Sequence, residues 1–181
     1  MTDTLHTPVQ DCGCAHDSTR RDVLKGLLAG AVVVGAGGTL SIRPAQAGGT
    51  ADALVLSCMD YRLVDDIVVY MNQRGMANNY DHVVLAGASL GVMSEALKWS
   101  QTFWDHLDVA IKLHHIKRVI VLDHLDCGAY RVVYGKSFVG DEEVAIHKEQ
   151  LARLRSTINT KYPDLMVETL IMKLDGSVMA G

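Results

Sequence analysis

The chain predicts an α/β fold, a mostly parallel sheet of about four or five strands flanked by helices on both faces. Three features of its 181 residues lead there. Short apolar runs recur along the chain, longer amphipathic segments separate them, and no repeat or low-complexity linker interrupts the alternation after Gly49. Strand and helix alternating in this way require crossover connections, which lay helices over the sheet.

The elements follow in order. Residues 53–58 (ALVLSC) have the length and unbroken apolar character of a buried strand. Residues 63–75 predict a helix with Val64, Ile67, Val68 and Met71 along one face, ending at Gly75, which suits a C-terminal cap. Residues 82–87 (HVVLAG) are the second strand. Leu90, Met93, Leu97, Trp104, Leu107 and Ile111 then recur at three, four or seven residues, predicting one long helix over 89–114. Residues 118–124 (RVIVLDH), rich in β-branched side chains, are the third strand. Residues 142–160 form a helix with Ile146, Leu151, Leu154 and Ile158 inward, and Asp141, Glu142 and Glu143 stand at its positive end. Residues 166–174 (MVETLIMKL) are the last strand.

The first 47 residues read as an export signal rather than as fold. Arg20 and Arg21 precede a glycine-rich, weakly apolar run from 26 to 40, and Ala45-Gln46-Ala47 supplies a small-residue cleavage site. The paired arginines resemble the twin-arginine type, which implies handling by the twin-arginine export machinery and a periplasmic location. The apolar run is shorter than the roughly 20 residues of a membrane-spanning helix. Residues 48–181 then form one domain with one core. The net charge is −4 for the whole chain. The leader removes four Lys/Arg and four Asp/Glu from 17 and 21, so 13 against 17 remain and the charge is unchanged. With no basic run, nucleic acid is not a predicted partner.

Cys12 and Cys14 fall in the leader, so Cys58 and Cys127 are the cysteines of the domain. Chemistry in parallel sheets gathers beyond the carboxyl ends of the strands. Cys58 ends the first strand, His124 ends the third, and Cys127 follows three residues later, so two thiolates and one imidazole reach one rim. That set suits zinc with a fourth position open to water. A disulfide between Cys58 and Cys127 is the competing reading, but it leaves Asp60, Arg62 and His124 without a role. Asp60 stands two residues after one sulfur ligand, where a carboxylate accepts a hydrogen bond from a water at the metal. Arg62, two further on, can hold that carboxylate by a bidentate pair.

Cys58-x-Asp60-x-Arg62 followed by His124-x-x-Cys127-Gly128-Ala129 resembles the β-class carbonic anhydrases, from about Leu54 to the last strand. The resemblance implies Cys58, His124 and Cys127 as zinc ligands and Asp60 with Arg62 as the catalytic dyad. It further implies reversible hydration of carbon dioxide to bicarbonate. Backbone amides near Gly87 or Gly128 would steady the bicarbonate oxygens, and a small α/β domain with a tryptophan-bearing helix predicts a homodimer or higher homo-oligomer. A zinc hydrolase of carbonyl sulfide or carbon disulfide on the same scaffold is the nearest alternative. A non-catalytic periplasmic domain with a structural metal or disulfide is the next.

The sequence also departs from the family pattern. Residues 84–88 (VLAGA) lack the family's polar residues and predict an apolar pocket wall, Leu125 stands where a small hydroxyl residue is common, and Asp123 adds negative charge before the histidine ligand. His82, His106 and His147 read as surface or helix-end residues, and His114 and His115 as helix-end residues or a proton relay. Trp99, Phe103 and Trp104 read as core or subunit interface. The turn AGASLG (residues 86–91) could hold an anion such as bicarbonate at a helix N-terminus; lacking a lysine and the phosphate-loop spacing, it does not predict nucleotide binding.

Overall fold

The computed structural model describes residues 49–181. The predicted leader and Cys12 and Cys14 therefore lie outside the described residues. The elements run β1 (Ala53–Ser57), a 3-10 turn (Tyr61–Leu63), α1 (Val64–Gln73), β2 (Tyr80–Val84), α2 (Ser89–Met93) and α3 (Ser100–His114). Then come β3 (Arg118–His124), α4 (Gly128–Tyr134), α5 (Gly140–Lys161), β4 (Met166–Met172) and β5 (Val178–Ala180). Among the described residues no helix is long and apolar enough to cross a membrane.

One five-stranded sheet has the order β2-β1-β3-β4-β5. β1 pairs in parallel with both β2 and β3, β3 pairs in parallel with β4, and only β5 runs antiparallel. All five residues of β1 are buried, because the sheet is covered on both faces and each face takes alternate side chains. Leu54 and Leu56 join a core with Phe103, Leu107, Leu151 and Leu154, on the side of α3 and α5. Ala53 and Val55 face the other way, against Leu63, Ile67 and Met71. The chain moves from β1 outward to β2 and then returns across β1 to β3. That reversal makes the carboxyl ends of β1 and β3 the switch point where open α/β sheets bind ligands.

Three expectations are corrected. The long helix over 89–114 is two helices, because Ser94 leaves α2 with extended backbone (φ −90°, ψ 117°) and Lys98 takes φ 55° before α3 begins. Leucines and aromatics at spacings of three, four and seven fit two short helices facing one core as well as one long helix. On α1, Ile67 and Met71 are buried but Val64 and Val68 are 54% and 44% exposed, because α1 presents a narrower stripe to the sheet than its apolar residues would cover. The second strand starts earlier than expected and ends at Val84, and Leu85 to Gly87 form the turn into α2.

Candidate metal centre

Three short local devices bring the donor atoms together. Cys58 follows the last residue of β1, and His124 is the last residue of β3. Asp126 then takes φ 56°, a left-handed conformation that aspartate tolerates better than most residues. The chain turns there and Cys127 becomes the N-cap of α4. The two sulfurs are 3.8 Å apart, and one donor atom from each of Cys58, His124 and Cys127 lies within 4.8 Å of the other two. All three residues are buried, at 8%, 2% and 7% exposure. Both cysteines are free; a disulfide would need sulfurs about 2.05 Å apart.

Two hydrogen bonds define what these donors offer. His124 Nδ1 donates to the Leu125 carbonyl at 2.8 Å, so the ring's free lone pair is on Nε2. Nε2 is buried with no hydrogen-bond partner. The Gly87 N–H donates to Cys58 Sγ at 3.3 Å. A hydrogen bond from Cys127, aided by His124 and Gly87 and opposed by burial, draws the Cys58 thiol down to about 4. The same hydrogen bond, burial and the Cys58 charge push Cys127 above the ordinary thiol range. The pair behaves as one thiolate beside one thiol, because two anionic sulfurs at this separation repel. A divalent cation held by Cys58, Cys127 and His124 would remove that repulsion and satisfy the orphaned imidazole lone pair. Two sulfurs and one imidazole are a fitting donor set for zinc.

Asp60 borders this cluster, with its Oδ2 3.9 Å from His124 Nε2. Both its oxygens are held by Arg62. Nε donates to Oδ1 at 2.9 Å, Nη2 to Oδ2 at 2.8 Å, and the Arg62 backbone N–H adds a third bond to Oδ1 at 3.1 Å. The outer side of the guanidinium is anchored on Asp126, through Oδ2 at 2.7 Å and the backbone carbonyl at 2.9 Å. These bonds fix the fork geometry and hold the Asp60 carboxyl down at about 2.

Two cavities meet at the site, and Asp60, Tyr61, Cys127 and Gly128 line both. One, of about 490 Å³, is walled by Met59, Ala86, Leu97, Trp99, Ala129 and Val132 and reaches Cys58. The other, of about 330 Å³, is polar and includes Arg62, Asp126, Arg131, Glu143 and His147. An apolar wall is therefore present, and Ala86 of the 84–88 stretch is part of it, but Val84 faces away, 47% exposed, and Leu85 packs against the core. Leu97 and Trp99 reach the cavity from the break between α2 and α3, which the apolar spacing does not signal.

Other sequence-predicted residues sit elsewhere than expected. The Gly87 amide donates to the Cys58 sulfur, and Gly128 lines both cavities. The charge of Asp123 is taken up by Ser89, Tyr130 and His147, because strand alternation turns consecutive side chains to opposite faces. His147, read as surface, is 1% exposed; residues 147, 151, 154 and 158 share one helical stripe, a signal the sequence does carry. His114 pairs with Asp81 at 2.8 Å, near the amino end of β2, whereas Cys58 and His124 stand at the carboxyl ends of β1 and β3. Phe103 is fully buried.

Comparison with known proteins agrees with this architecture. Residues 49–180 match the model of the family described as "Putative carbonic anhydrase". An uncharacterized protein of Rickettsia conorii is 38% identical over 131 residues, covering 71% of this chain and 70% of that protein. Among solved structures, a carbonic anhydrase from Streptococcus mutans superposes with a TM-score of 0.51 at 16% identity, covering 88% of this chain and 95% of that one. A tetrameric β-carbonic anhydrase from the filamentous ascomycete Sordaria macrospora gives 0.50 at 11% identity, covering 74% and 81%. The chain belongs to this carbonic anhydrase family, and its fold is that of the β-carbonic anhydrases.

Proposed function

We propose that the protein catalyses the zinc-dependent, reversible hydration of carbon dioxide to bicarbonate and a proton. The observation that carries this reading is the unpartnered His124 Nε2 beside two sulfurs 3.8 Å apart, with an arginine-pinned carboxylate at their edge. Cys58, His124 and Cys127 would hold the zinc, which when bound lowers the pKa of a coordinated water to about 7 and so supplies a nucleophile at neutral pH. Asp60 has both oxygens fixed by Arg62 and stays ionised, so it accepts a hydrogen bond from the attacking water and aims the oxygen's lone pair. Arg62 also keeps Asp60 from swinging onto the metal. The apolar cavity admits the uncharged, linear substrate and excludes competing water, and the polar cavity offers the charged product a way out. Gly128 is placed to meet a bicarbonate oxygen through its backbone.

The apolar wall of Met59, Leu97 and Trp99 also suits carbonyl sulfide and carbon disulfide, which share the same linear shape. Stopped-flow hydration of carbon dioxide by purified, zinc-loaded protein, run beside hydrolysis of both sulfur compounds, separates the readings. The proposal requires the first rate to dominate. Full zinc occupancy with no rate above buffer on any substrate would leave a structural metal domain.

We further propose that the chain is exported by the twin-arginine route, acts in the periplasm, and functions as a homodimer or higher homo-oligomer. Met59, Tyr61 and Val132 are 65%, 85% and 76% exposed around the apolar cavity, and a second subunit covering them would shield the site from water.

A further inference from the structure

The turn between His124 and Cys127 is held by a side chain from a distant helix. Each inner backbone group of the turn has a partner. The Leu125 N–H donates to the Met172 carbonyl at 3.0 Å, the Leu125 carbonyl accepts from His124 Nδ1 at 2.8 Å, and the Asp126 carbonyl accepts from Arg62 Nη2 at 2.9 Å. The fourth group, the Asp126 N–H, donates to Glu143 Oε1 at 2.5 Å. That acceptor stands 17 residues along the chain, in the first turn of α5, and Glu143 lines the polar cavity with Asp60, Arg62 and Asp126. Its neighbour Glu142 pairs instead with Lys136 at 2.6 Å. An acid anywhere in this turn suits the positive end of the helix, so the dipole alone does not explain why Glu143 reaches a backbone amide of another segment.

We propose that Glu143 is a positioning residue of the Asp60–Arg62 dyad, acting on Asp60 through Asp126 and Arg62. The inference rests on the carbon dioxide reading above. Asp126 has φ 56°, a conformation that most residues avoid. In it the Asp126 carbonyl and carboxylate both face the guanidinium, accepting from Nη2 at 2.9 Å and from Nη1 at 2.7 Å. Glu143 pins the turn by its N–H, and the turn pins the outer edge of Arg62. The inner edge, Nε and Nη2, then meets Asp60 Oδ1 and Oδ2 at 2.9 and 2.8 Å. The side chains of Arg62 and Asp126 are 32% and 72% exposed, and an exposed ion pair alone holds geometry poorly, because water competes and two mobile side chains must be ordered. A bond to the Asp126 amide fixes main chain, so it orders the carbonyl and carboxylate contacts together. That bond needs an acceptor oxygen and not a negative charge.

Glu143→Gln keeps an acceptor oxygen at this position, and Glu143→Ala removes it. With rates taken per bound zinc, we expect kcat/KM for hydration to be about tenfold or more lower in Glu143→Ala, the lower range for groups that orient the residues around a metal. Glu143→Gln should stay close to wild type. Nitrogen-15 NMR of the arginine side chains reads the same series of bonds without substrate. The Arg62 Nε–H signal should be displaced from that of free arginine and slow to exchange in wild type and Glu143→Gln, and should revert to the free position in Glu143→Ala. Glu142→Ala, which removes a neighbouring acid from the same helix end, should change neither the rate nor that signal. A full wild-type rate per zinc in Glu143→Ala, an Arg62 signal unmoved by that substitution, or a folded Glu143→Gln as slow as Glu143→Ala overturns the proposal. Wild-type protein that does not hydrate carbon dioxide defeats the underlying reading instead, and the Arg62 signal still tests the positioning.

Discussion

Asp60 is where a single atom change tests most. Arg62 grips both of its oxygens, so Asp60→Asn keeps the side-chain volume and replaces one acceptor with a donor. We predict that zinc content is retained while carbon dioxide hydration falls at least about 100-fold, the lower range for a positioned acid–base group; equal rates in stopped flow would remove Asp60 from the chemistry. The pH dependence has a definite sign. Arg62 depresses the Asp60 carboxyl from 3.8 to about 2, so the stability it contributes is fully present above about pH 4 and is lost as pH falls toward 2. Urea midpoints of wild type and Asp60→Asn should therefore differ by a constant amount above pH 5 and converge at lower pH. Cys58→Ser should cost metal content, read by elemental analysis after dialysis. The clustering of Cys58, His124 and Cys127 and the Asp60–Arg62 pair were legible in the sequence because the proposed roles demand residue types: thiolate and imidazole for a borderline metal, carboxylate with arginine for a fixed acceptor. The Asp123–His147 pair was not, since its partners lie 24 residues apart on a strand and a helix and only packing brings them together.

At the scale of elements, the turn from β2 into α2 ties the sheet to the metal centre. Gly87 has φ +78°, and a Cβ there would come within 3.0 Å of Ala129 Cβ and 3.3 Å of Leu90 Cβ. Gly87→Ala should therefore destabilise by about 1–3 kcal/mol and displace the N–H that orients Cys58, so both the denaturant midpoint and zinc affinity should fall. At Gly91 an added Cβ would meet the Ala86 carbonyl oxygen at 2.7 Å, so this short helix is held close to the turn it follows. Ser89 joins the same unit, with its N–H and hydroxyl both on buried Asp123. Strand positions were legible because β-branched apolar runs have few other uses. The split between α2 and α3 was not, since it arises where Ser94 and Lys98 leave helical geometry while the apolar spacing continues undisturbed. Leu97 and Trp99 stand in that break, and this places an apolar wall beside the sulfurs.

For the whole molecule, the sheet order explains why motifs 66 residues apart form one site. β1 and β3 are neighbours, and the chain's return from β2 leaves their carboxyl ends free of a covering connection. Most of that topology follows from alternating element types, whereas the short antiparallel β5, which pairs with the end of β4, carries too little sequence pattern to be foreseen. The exposed apolar residues at the cavity mouth predict self-association. Sedimentation should show a dimer or larger species, and Tyr61→Glu should shift it toward monomer. X-ray absorption at the zinc edge of the purified, metal-loaded protein bears on everything else. Two sulfurs at about 2.3 Å and one imidazole nitrogen at about 2.0–2.1 Å, with one further light atom, is the predicted shell. A shell without sulfur, or a protein that holds no metal while both thiols remain titratable, would contradict it.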